Sequence, residues 1–386
     1  MRILIVHERY RLRGGEDVAV DAERALLAEA GLDVVGHILD HQDIAGNGSL
    51  ALGFGAVWSP SGRRGVAAAI AAARPDLMHV HNFFPVLSPA IYEAAHDAGI
   101  PVVQTLHNYR LLCPNGLLLR DGQPCETCRD RLVKWPGVVH GCYRGSRGAS
   151  AAAAAMAGLH RLRGTWASRV DRFLALTPFA RDRFIAGGVP AERIAVSPVA
   201  LPDPGASPWT DERRGALYVG RLSPEKGVDM LVDAWAQIDH PLTVIGDGPL
   251  RPALEQRAPS HVTIAGPLDS QHVHAAMAKA ALLVFPSLAY ENFPLSVVEA
   301  MANGLPVLAS RRGAAADMVE AGTSGAFAAP GDGADWRDAA SALLADRPGL
   351  ARLSAGARSS YCDRYHPDRV LADRLALYEH LRRERS

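Results

Sequence analysis

The sequence predicts an α/β protein with two doubly wound parallel sheets. Short apolar runs alternate along the chain with longer segments of helical periodicity, which is typical of βαβ units. These runs form two groups, separated by the proline-rich segment LPDPGASPWTDERRG at residues 201–215. A chain of 386 residues is long enough for two domains of ordinary size. We therefore expect one sheet on each side of this segment.

Each group contains five predicted strands. In the first group the apolar runs are Ile3–Val6, Leu77–His81, Val102–Leu106, Phe173–Leu176 and Ile194–Pro198. In the second group they are Gly215–Val219, Leu242–Ile245, Val262–Ala265, Leu282–Pro286 and Val307–Ala309. The prolines and charges of residues 201–215 are typical of an exposed linker. The predicted domains are therefore residues 1–203 and 204–366.

Composition and charge describe an ordinary globular chain. Bulk nucleic-acid binding gains no support, because 41 basic residues are matched by 41 acidic ones. The apolar run Ile3–Val6 meets polar residues at once and is too short for the core of a signal peptide. The alanine-rich run Ala149–Leu159 is too short to span a bilayer. We therefore expect a cytosolic protein.

The stretch YENFPLSVVEAMANG, residues 290–304, predicts a helix that follows a strand. Asn292 is a suitable cap, and Pro294 fits the first turn because an N–H is not needed there. Asn303 and Gly304 are typical of a helix end. The residues expected on its buried face are Leu295, Val298 and Ala302.

Charged side chains cluster after predicted strands, where ligands of open α/β sheets bind. Glu291 and Glu299 flank the start of this helix, whose free N–H groups attract an anion. Arg221 and Lys226, in GRLSPEKG, carry the positive charge that a diphosphate requires. GDGP at residues 246–249 permits close approach of the backbone. Each feature alone is more often explained by ordinary surface residues.

Together, YVGRLSPEKG, VIGDGP, VFPSLAYENFPLSVVEAMANGLPVLAS and the glycine pair of RLRGGED resemble a retaining glycosyltransferase of family 4, over nearly the whole chain. The resemblance implies the GT-B fold, in which two Rossmann-like domains face each other across a cleft. The N-terminal domain would bind the acceptor and the C-terminal domain the nucleotide-sugar donor. The last helix, residues 367–386, would pack back on the first domain.

The implied activity is transfer of a hexose-type sugar from a nucleotide diphosphate sugar to a hydroxyl of a glycan or lipid-linked acceptor. The implied setting is bacterial polysaccharide, lipopolysaccharide or glycolipid biosynthesis. The family resemblance also implies that Arg221 and Lys226 neutralise the diphosphate, that Glu299 accepts hydrogen bonds from the ribose, and that Glu291 accepts them from the sugar. The implied donor-binding residues are Gly14, Gly15, Gly220, Arg221, Lys226, Gly246, Asp247, Gly248, Glu291, Asn292, Phe293, Pro294, Leu295 and Glu299.

Backbone N–H groups from Asn292 to Leu295 would hold phosphate oxygens, helped by the Gly14-Gly15 loop reaching across from the first domain. The family more often has glycine at position 292. Because asparagine tolerates positive φ, the turn can persist while the sugar pocket differs.

On the acceptor side, His107 in VVQTLHNYRLLCPNG matches the histidine that the family places beside the donor sugar. Asn108 and Tyr109 are polar neighbours able to orient it, although a lone histidine is also common as a structural residue. The implied chemistry is attack of an acceptor hydroxyl on the face that the diphosphate leaves, with no protein nucleophile and no catalytic metal or other cofactor. The implied catalytic residues are His107, Glu291, Arg221 and Lys226.

Four cysteines lie close together, with 11, 2 and 13 residues between successive members. This spacing, which includes a Cys-x-x-Cys, is compatible with a structural zinc site. Four reduced thiols lining a buried loop are the alternative, and a disulfide framework is not expected without an export signal. The cysteines are Cys113, Cys125, Cys128 and Cys142.

The segment at residues 129–172 is basic, with nine Lys or Arg residues against two acids. Leu159, Leu162, Trp166 and Val170 recur at helical spacing and predict an apolar stripe. A basic helix with such a stripe is typical of contact with a membrane surface, and the family commonly uses lipid-linked acceptors. A stripe that is simply part of the core is the alternative.

Two rival classes share parts of this pattern. A GT-B sugar-nucleotide epimerase has the same architecture, but would not carry the Arg221, Lys226, Glu291 and Glu299 set. A catalytically inactive sugar-nucleotide-binding relative would be expected to have lost one of these residues. A NAD-dependent enzyme is disfavoured because no predicted strand is followed by Gly-x-Gly-x-x-Gly.

Overall fold

The structure is a computed structural model that describes residues 1–9, 14–40, 49–205 and 207–385. The chain forms two compact units. The first comprises Met1–Arg120, Cys125–Ala200 and Pro367–Ser386, and the second comprises Asp121–Pro124 and Leu201–His366. Each unit contains a parallel sheet of six strands, so the predicted α/β class with two doubly wound sheets is confirmed.

The first unit is a parallel sheet with helices between its strands. The elements up to residue 196, all of the first unit except β6, are β1 (Arg2–Glu8), α1 (Gly15–Glu29), β2 (Asp33–Leu39), α2 (Ser49–Val57), α3 (Pro60–Ala73), β3 (Leu77–Asn82), α4 (Ala90–Asp97), β4 (Val102–Leu106), the short strands β5 (Leu119–Arg120) and β6 (Gln123–Pro124), α5 (Trp135–Val139), α6 (Arg147–Leu162), α7 (Thr165–Ser168), β7 (Arg172–Ala175), α8 (Pro178–Ala186) and β8 (Ile194–Val196). The sheet order is β2-β1-β3-β4-β7-β8. β3 and β4 are buried throughout, as central strands covered on both faces should be.

The second unit repeats this construction. Its elements are β9 (Arg214–Val219), α9 (Val228–Trp235), β10 (Leu242–Ile245), α10 (Arg251–Arg257), β11 (Val262–Gly266), α11 (Ser270–Lys279), β12 (Ala280–Phe285), α12 (Leu295–Ala302), β13 (Val307–Ser310), α13 (Gly313–Met318), β14 (Gly325–Ala328), α14 (Gly333–Ala345) and α15 (Arg347–Arg364). The sheet order is β11-β10-β9-β12-β13-β14. Because β9 and β12 are parallel neighbours, the loops that follow them start at the same edge of the sheet.

The last helix, α16 (Pro367–Arg385), belongs to the first unit. Its buried Arg374 forms an ion pair with Glu23 of α1 and donates to Ser197 Oγ over 2.8 Å. Tyr378, on the same helix, is hydrogen-bonded to His79 Nδ1 over 2.7 Å. These contacts fix α16 to the sheet through polar as well as apolar groups.

Each of the ten predicted runs overlaps a strand, but four strands were not predicted. Two of these, β5 and β6, have only two residues each. β2 and β14 occupy the outer position of their sheets. β2 is only half-buried and contains a glycine, while β14 has four residues. Outer strands are less apolar because one side lacks a neighbour, which weakens the pattern that predicts a strand.

The prediction of an exposed linker at residues 201–215 is wrong in part. Arg213 is buried, and its guanidinium donates to Asn303 O over 2.9 Å and to Ser207 O over 2.8 Å. Trp209 packs against the core of the second unit. This segment therefore belongs to the second unit. The buried guanidinium is tolerated there because backbone carbonyls accept its hydrogen bonds.

The apolar stripe predicted for residues 159–170 is also wrong. α6 ends at Leu162, and Gly164 adopts a left-handed conformation with φ 67° before α7 begins. Leu159 and Leu162 are exposed, whereas Trp166 and Val170 are buried. None of the helices in the described parts of the chain is both long and apolar enough to cross a membrane.

Candidate active site

The loops after β9 and β12 are joined by a network centred on the Glu291 carboxylate. Lys226 Nζ donates to Glu291 Oε1 over 2.6 Å, and Ser287 Oγ donates to the same oxygen over 2.6 Å. Leu288 N donates to Glu225 O over 2.9 Å, which ties the two loops together through their backbones as well. The structure thus brings two residues of separate motifs into one ion pair. The contact of Ser287 was not predicted, although this residue directly follows the apolar run of β12.

Gly227 allows the first of these loops to approach the second. It ends the 3-10 turn Pro224–Lys226 with φ 67°, a conformation that favours glycine. A Cβ at this position would lie 2.3 Å from Pro286 O. Any other residue would therefore push Lys226 away from Glu291.

Arg221 is the other basic residue of the loop that carries Lys226. Its side chain is exposed and forms no ion pair or hydrogen bond with the described residues. Its carbonyl oxygen accepts a hydrogen bond from Tyr218 Oη over 2.8 Å. Burial raises the pKa of Tyr218 well above its ordinary value, and the nearby Glu291 carboxylate adds to this effect. Tyr218 is therefore a neutral donor that holds the backbone at Arg221.

The predicted close approach at GDGP is made to the loop after β9. Gly246 has φ 143°, and a Cβ there would lie 1.9 Å from Gly220 O. Leu222 N donates to Asp247 O over 2.8 Å, and Gly248 N donates to the Asp247 carboxylate over 2.9 Å. The candidate residues Gly220, Gly246, Asp247 and Gly248 are therefore adjacent at one edge of the sheet.

The start of α12 differs from the prediction. The helix begins at Leu295 and its cap is Pro294, whereas the predicted cap, Asn292, is buried before it. Pro294 is extended, with φ −74° and ψ 99°, so the helix can begin only after it. Because proline has no N–H, the predicted row of N–H groups from Asn292 to Leu295 is interrupted. The Phe293 ring lies against Tyr365, with 5.9 Å between ring centroids.

Glu299 lies in the second turn of α12 and presents a half-buried carboxylate. Burial raises its pKa, because no nearby charge or donor stabilises the ionised form. No side-chain hydrogen bond to Glu299 is formed within the described ranges. Val298 and Ala302 are buried as predicted, while Leu295 is only half-buried. The Glu299 carboxylate is thus a hydrogen-bond acceptor that has no donor among the described residues.

Further contacts to this site, from the start of α13, were not predicted. Arg312 donates through Nη1 to Leu288 O over 2.9 Å, and Ala314 N donates to Glu291 O over 3.2 Å. The start of α13 therefore supports the loop that carries Glu291. The available signal was the position of Arg312 in the short segment after the apolar run Val307–Ala309.

In the first unit, His107 follows β4 and is hydrogen-bonded to another histidine. Its Nε2 lies 2.9 Å from His81 Nδ1, and the two rings are stacked with 5.2 Å between centroids. Burial lowers the pKa of His107 to about 3, and it lowers the pKa of His81 well below the ordinary value. Both rings are therefore neutral near pH 7. The sequence predicts that Asn108 and Tyr109 orient His107. In the structure, the hydrogen-bond partner of His107 is His81 instead.

The two polar neighbours of His107 have other contacts. Tyr109 is a core residue, stacked on Phe184 with 5.5 Å between ring centroids. Asn108 Nδ2 donates to Glu16 Oε1 over 3.0 Å. Glu16 lies in the first turn of α1, next to Gly14-Gly15. The predicted glycine loop therefore adjoins the loop after β4 within the first unit.

The clustered cysteines also lie in the first unit and line one small cavity. Cys113 and Cys128 are buried, and the other two are partly buried. Thr127, Pro136 and Gly137 contribute to the same wall. The cysteines that the structure brings together are Cys113, Cys125, Cys128 and Cys142.

Comparison with known sequences identifies the family. A profile described as "Glycosyl transferase 4-like domain" matches residues 14–200, and one described as "Glycosyl transferases group 1" matches residues 213–346. The chain belongs to the group 1 glycosyltransferases of family 4. It is 27% identical to the alpha-D-kanosaminyltransferase of Streptomyces kanamyceticus, over 71% of this chain and 68% of that protein. It is 33% identical to a GDP-mannose-dependent alpha-mannosyltransferase of Mycolicibacterium smegmatis, over 39% of this chain and 42% of that protein.

Solved structures support the GT-B fold. The sucrose-phosphate synthase of Thermosynechococcus elongatus superposes with a TM-score of 0.72 at 18% identity, covering 98% of each chain. The Anabaena protein HepE, in complex with UDP and glucose, superposes with a TM-score of 0.68 at 18% identity, covering 97% of this chain and 99% of HepE. The predicted fold and family are therefore confirmed.

Proposed function

We propose that this protein is a retaining glycosyltransferase that moves a hexose-type sugar from a nucleotide diphosphate sugar to a hydroxyl of a glycan or lipid-linked acceptor. The observation that carries the proposal is the ion pair of Lys226 and Glu291, which joins the loops after β9 and β12 at the carboxyl edge of the second sheet. Arg221 lies in the same loop as Lys226, and Glu299 lies in the helix that follows Glu291. Cations for a diphosphate and acceptors for hydroxyls are what a nucleotide sugar requires.

The donor diphosphate would bind the two cations of the loop after β9. Arg221 is exposed and free to form a bidentate contact with phosphate oxygens. Lys226 has three N–H donors, so it can keep Glu291 while donating to phosphate. The N–H groups of the first turn of α12 would add to this site, since the start of a helix attracts anions.

The hydroxyl groups of the donor would bind the two glutamates. Burial raises the pKa of Glu299, and its carboxylate has no hydrogen-bond donor among the described residues. A ribose hydroxyl would supply that donor. Glu291 is held by Lys226 and Ser287 through Oε1, which leaves Oε2 for a hydroxyl of the transferred sugar. These roles match what the family resemblance implies.

In the reaction, the bond between the anomeric carbon and the diphosphate oxygen breaks while the acceptor oxygen bonds to the same face of that carbon. The acceptor proton passes to the leaving phosphate oxygen. Arg221 and Lys226 stabilise the negative charge that develops there, which is why a catalytic metal is not part of the proposal. His107 supplies a neutral hydrogen-bonding group to the reacting sugar, and His81 orients it.

We further propose that the protein works on the cytoplasmic side of a membrane and contacts anionic lipid through its first unit. Leu132, Val133 and Trp135 are exposed beside α6, where Leu159 and Leu162 are exposed as well. The same segment of the chain carries exposed arginines, which would attract an anionic surface. The arginines are Arg131, Arg144, Arg147 and Arg163.

Vesicle sedimentation tests this contact. We expect binding to vesicles that contain phosphatidylglycerol and not to pure phosphatidylcholine. Val133→Ser with Leu162→Ser should lose binding, while Leu268→Ser, an exposed leucine of the second unit, should keep it. Equal binding by all variants would refute the contact and leave the catalytic proposal intact.

The catalytic proposal is tested by incubating the protein with a panel of nucleotide sugars and glycan or lipid-linked acceptors. Mass spectrometry identifies the transfer product, and NMR gives its anomeric configuration. We expect an α-linked product from an α-linked donor. An inverted product would refute the retaining mechanism, and conversion of the free nucleotide sugar to its epimer would identify the rival class.

A further inference from the structure

The four cysteines of the first unit come from different parts of a long excursion between β4 and α6. Cys113 follows β4, Cys125 and Cys128 belong to one turn, and Cys142 follows α5. The chain between them has only two-residue strands and a five-residue helix. The fold nevertheless gathers all four side chains around one cavity. This convergence is a property of the tertiary structure, which sequence spacing alone does not provide.

Three of the four thiols make weak contacts. Cys113 Sγ lies 3.0 Å from Asn115 Oδ1, Cys125 Sγ lies 3.4 Å from Thr127 Oγ1, and Cys128 Sγ lies 3.9 Å from a carbonyl oxygen. A thiol is a poor donor, so these contacts are easily exchanged for a stronger one. No three of the four described sulfur atoms lie within 4.8 Å of one another, so a shared ligand would require them to turn inward.

The buried ammonium group of Lys134 is a second, independent observation, because it has no negatively charged partner among the described residues. Its side chain is buried, with 1% exposed, and Nζ donates to Cys128 O over 3.1 Å and to Arg131 O over 3.2 Å. Among the residues that the structure describes, no carboxylate lies within 4.0 Å of this ammonium group. A buried ammonium without a counter-charge is costly. A tetrathiolate zinc centre carries a net charge of about −2 and would supply that counter-charge.

We propose that the four cysteines bind one structural zinc ion and that the Lys134 ammonium offsets part of the negative charge of the site. Binding releases the four thiol protons to solvent and forms four zinc–sulfur bonds. With all positions taken by sulfur, the ion has no bound water and no catalytic part. Its role is to order the excursion from Cys113 to Cys142, which has few regular backbone hydrogen bonds of its own.

The other candidate metal group in the described parts of the chain carries no such proposal. Glu23, His79 and His81 do bring ligand atoms within 4.8 Å of one another. However, Glu23 is paired with the buried Arg374, and His79 is hydrogen-bonded to Tyr378. A second cation beside the guanidinium would be repelled.

Elemental analysis of the protein purified without chelator tests the zinc site. We expect about one zinc ion per chain. Release of zinc by a mercurial reagent should require modification of the four cysteines, and before release a thiol reagent should detect only Cys362, which is exposed on α15. Less than about 0.1 equivalent of zinc in the folded wild-type protein, or iron in its place, would overturn the proposal.

Two variants sharpen the test. Cys125→Ser with Cys128→Ser should lose the zinc, while the matched control Cys362→Ser should keep it. Lys134→Met should lose zinc to a chelator about ten times faster than wild type, since the counter-charge is gone. An unchanged rate of zinc release from Lys134→Met would refute the proposal that the ammonium group offsets the charge of the zinc site. Because the wild-type measurement decides the metal itself, a variant that fails to fold does not weaken the test.

Discussion

The residues at the strand ends are charged in the second unit and neutral in the first. After β9 and β12, the second unit keeps charges: Lys226 pairs with Glu291, and Arg221 is exposed. At the carboxyl ends of β3 and β4, the first unit holds neutral groups, because burial lowers the pKa of His81 and His107. The same arrangement of parallel strands therefore builds two different environments. One suits an anionic diphosphate, and the other suits neutral hydrogen bonding to a sugar or an acceptor.

The largest effect is expected where charge is removed from the second unit. Lys226→Ala should lower kcat/KM for the donor by about 10- to 100-fold, the size of one lost charged hydrogen bond of roughly 1.5–3 kcal/mol. Initial rates at subsaturating donor measure it. Lys279→Ala is the matched control, because Lys279 is exposed at the opposite end of β12. Near-normal turnover by Lys226→Ala would remove this residue from the donor site.

His107→Ala should act on turnover instead of on donor binding. We expect kcat to fall by about 5- to 100-fold, from a lost hydrogen bond of roughly 1–3 kcal/mol, with little change in KM for the donor. Steady-state kinetics with circular dichroism separate this from unfolding. Because the pKa of His107 is about 3, the wild-type rate should show no step near pH 6.5 from this residue. An unchanged kcat would make His107 structural.

The buried histidines should also make stability fall in acid. A histidine whose pKa is lower in the folded state takes up its proton on unfolding, so its contribution is complete above about pH 6.5 and declines below that pH. The slope is at most about 1.4 kcal/mol per pH unit for each proton. Glu8 acts in the opposite direction between pH 4.5 and about 7, because burial raises its pKa to about 7.

Urea unfolding of wild type and His81→Asn from pH 5 to pH 8 measures this contribution. The variant should show a flatter loss of stability below pH 6.5, since one of the protonating groups is gone. Identical slopes would mean that His81 is not held neutral by the fold.

The smallest effect is expected from Ser287→Ala, which removes one hydrogen bond to Glu291. A loss of about 0.5–1.5 kcal/mol corresponds to roughly 2- to 10-fold in kcat/KM for the donor. Ser223→Ala is the matched control, because Ser223 donates to Glu225 instead. Equal effects of the two changes would show that the contact with Glu291 has no special importance.

The sequence predicted the strands better than it predicted the contacts between them. The central strands are fully buried and largely apolar, so their pattern is clear, whereas the outer strands β2 and β14 are partly exposed. Lys226 meets Glu291 only because β9 and β12 are neighbours, and His81 meets His107 only because β3 and β4 are neighbours. Strand order depends on tertiary packing, and the motifs do not contain it.

Local chemistry limited the prediction of the helix start as well. Asn292 is a good cap by residue type, but the extended conformation of Pro294 moves the start of α12 to Leu295. The left-handed conformation at Gly164 likewise ends the helical periodicity of the basic segment. In both places one backbone conformation overrides a side-chain pattern.

The division between the two units is tested most directly by equilibrium binding of the nucleoside diphosphate released from the donor. Titration calorimetry should give a Kd raised about 10-fold or more by Lys226→Ala, through the loss of a charged hydrogen bond, and changed less than about 2-fold by His107→Ala. This pattern would assign anion binding to the charged loops of the second unit. Weakened binding by His107→Ala together with unchanged binding by Lys226→Ala would contradict the account.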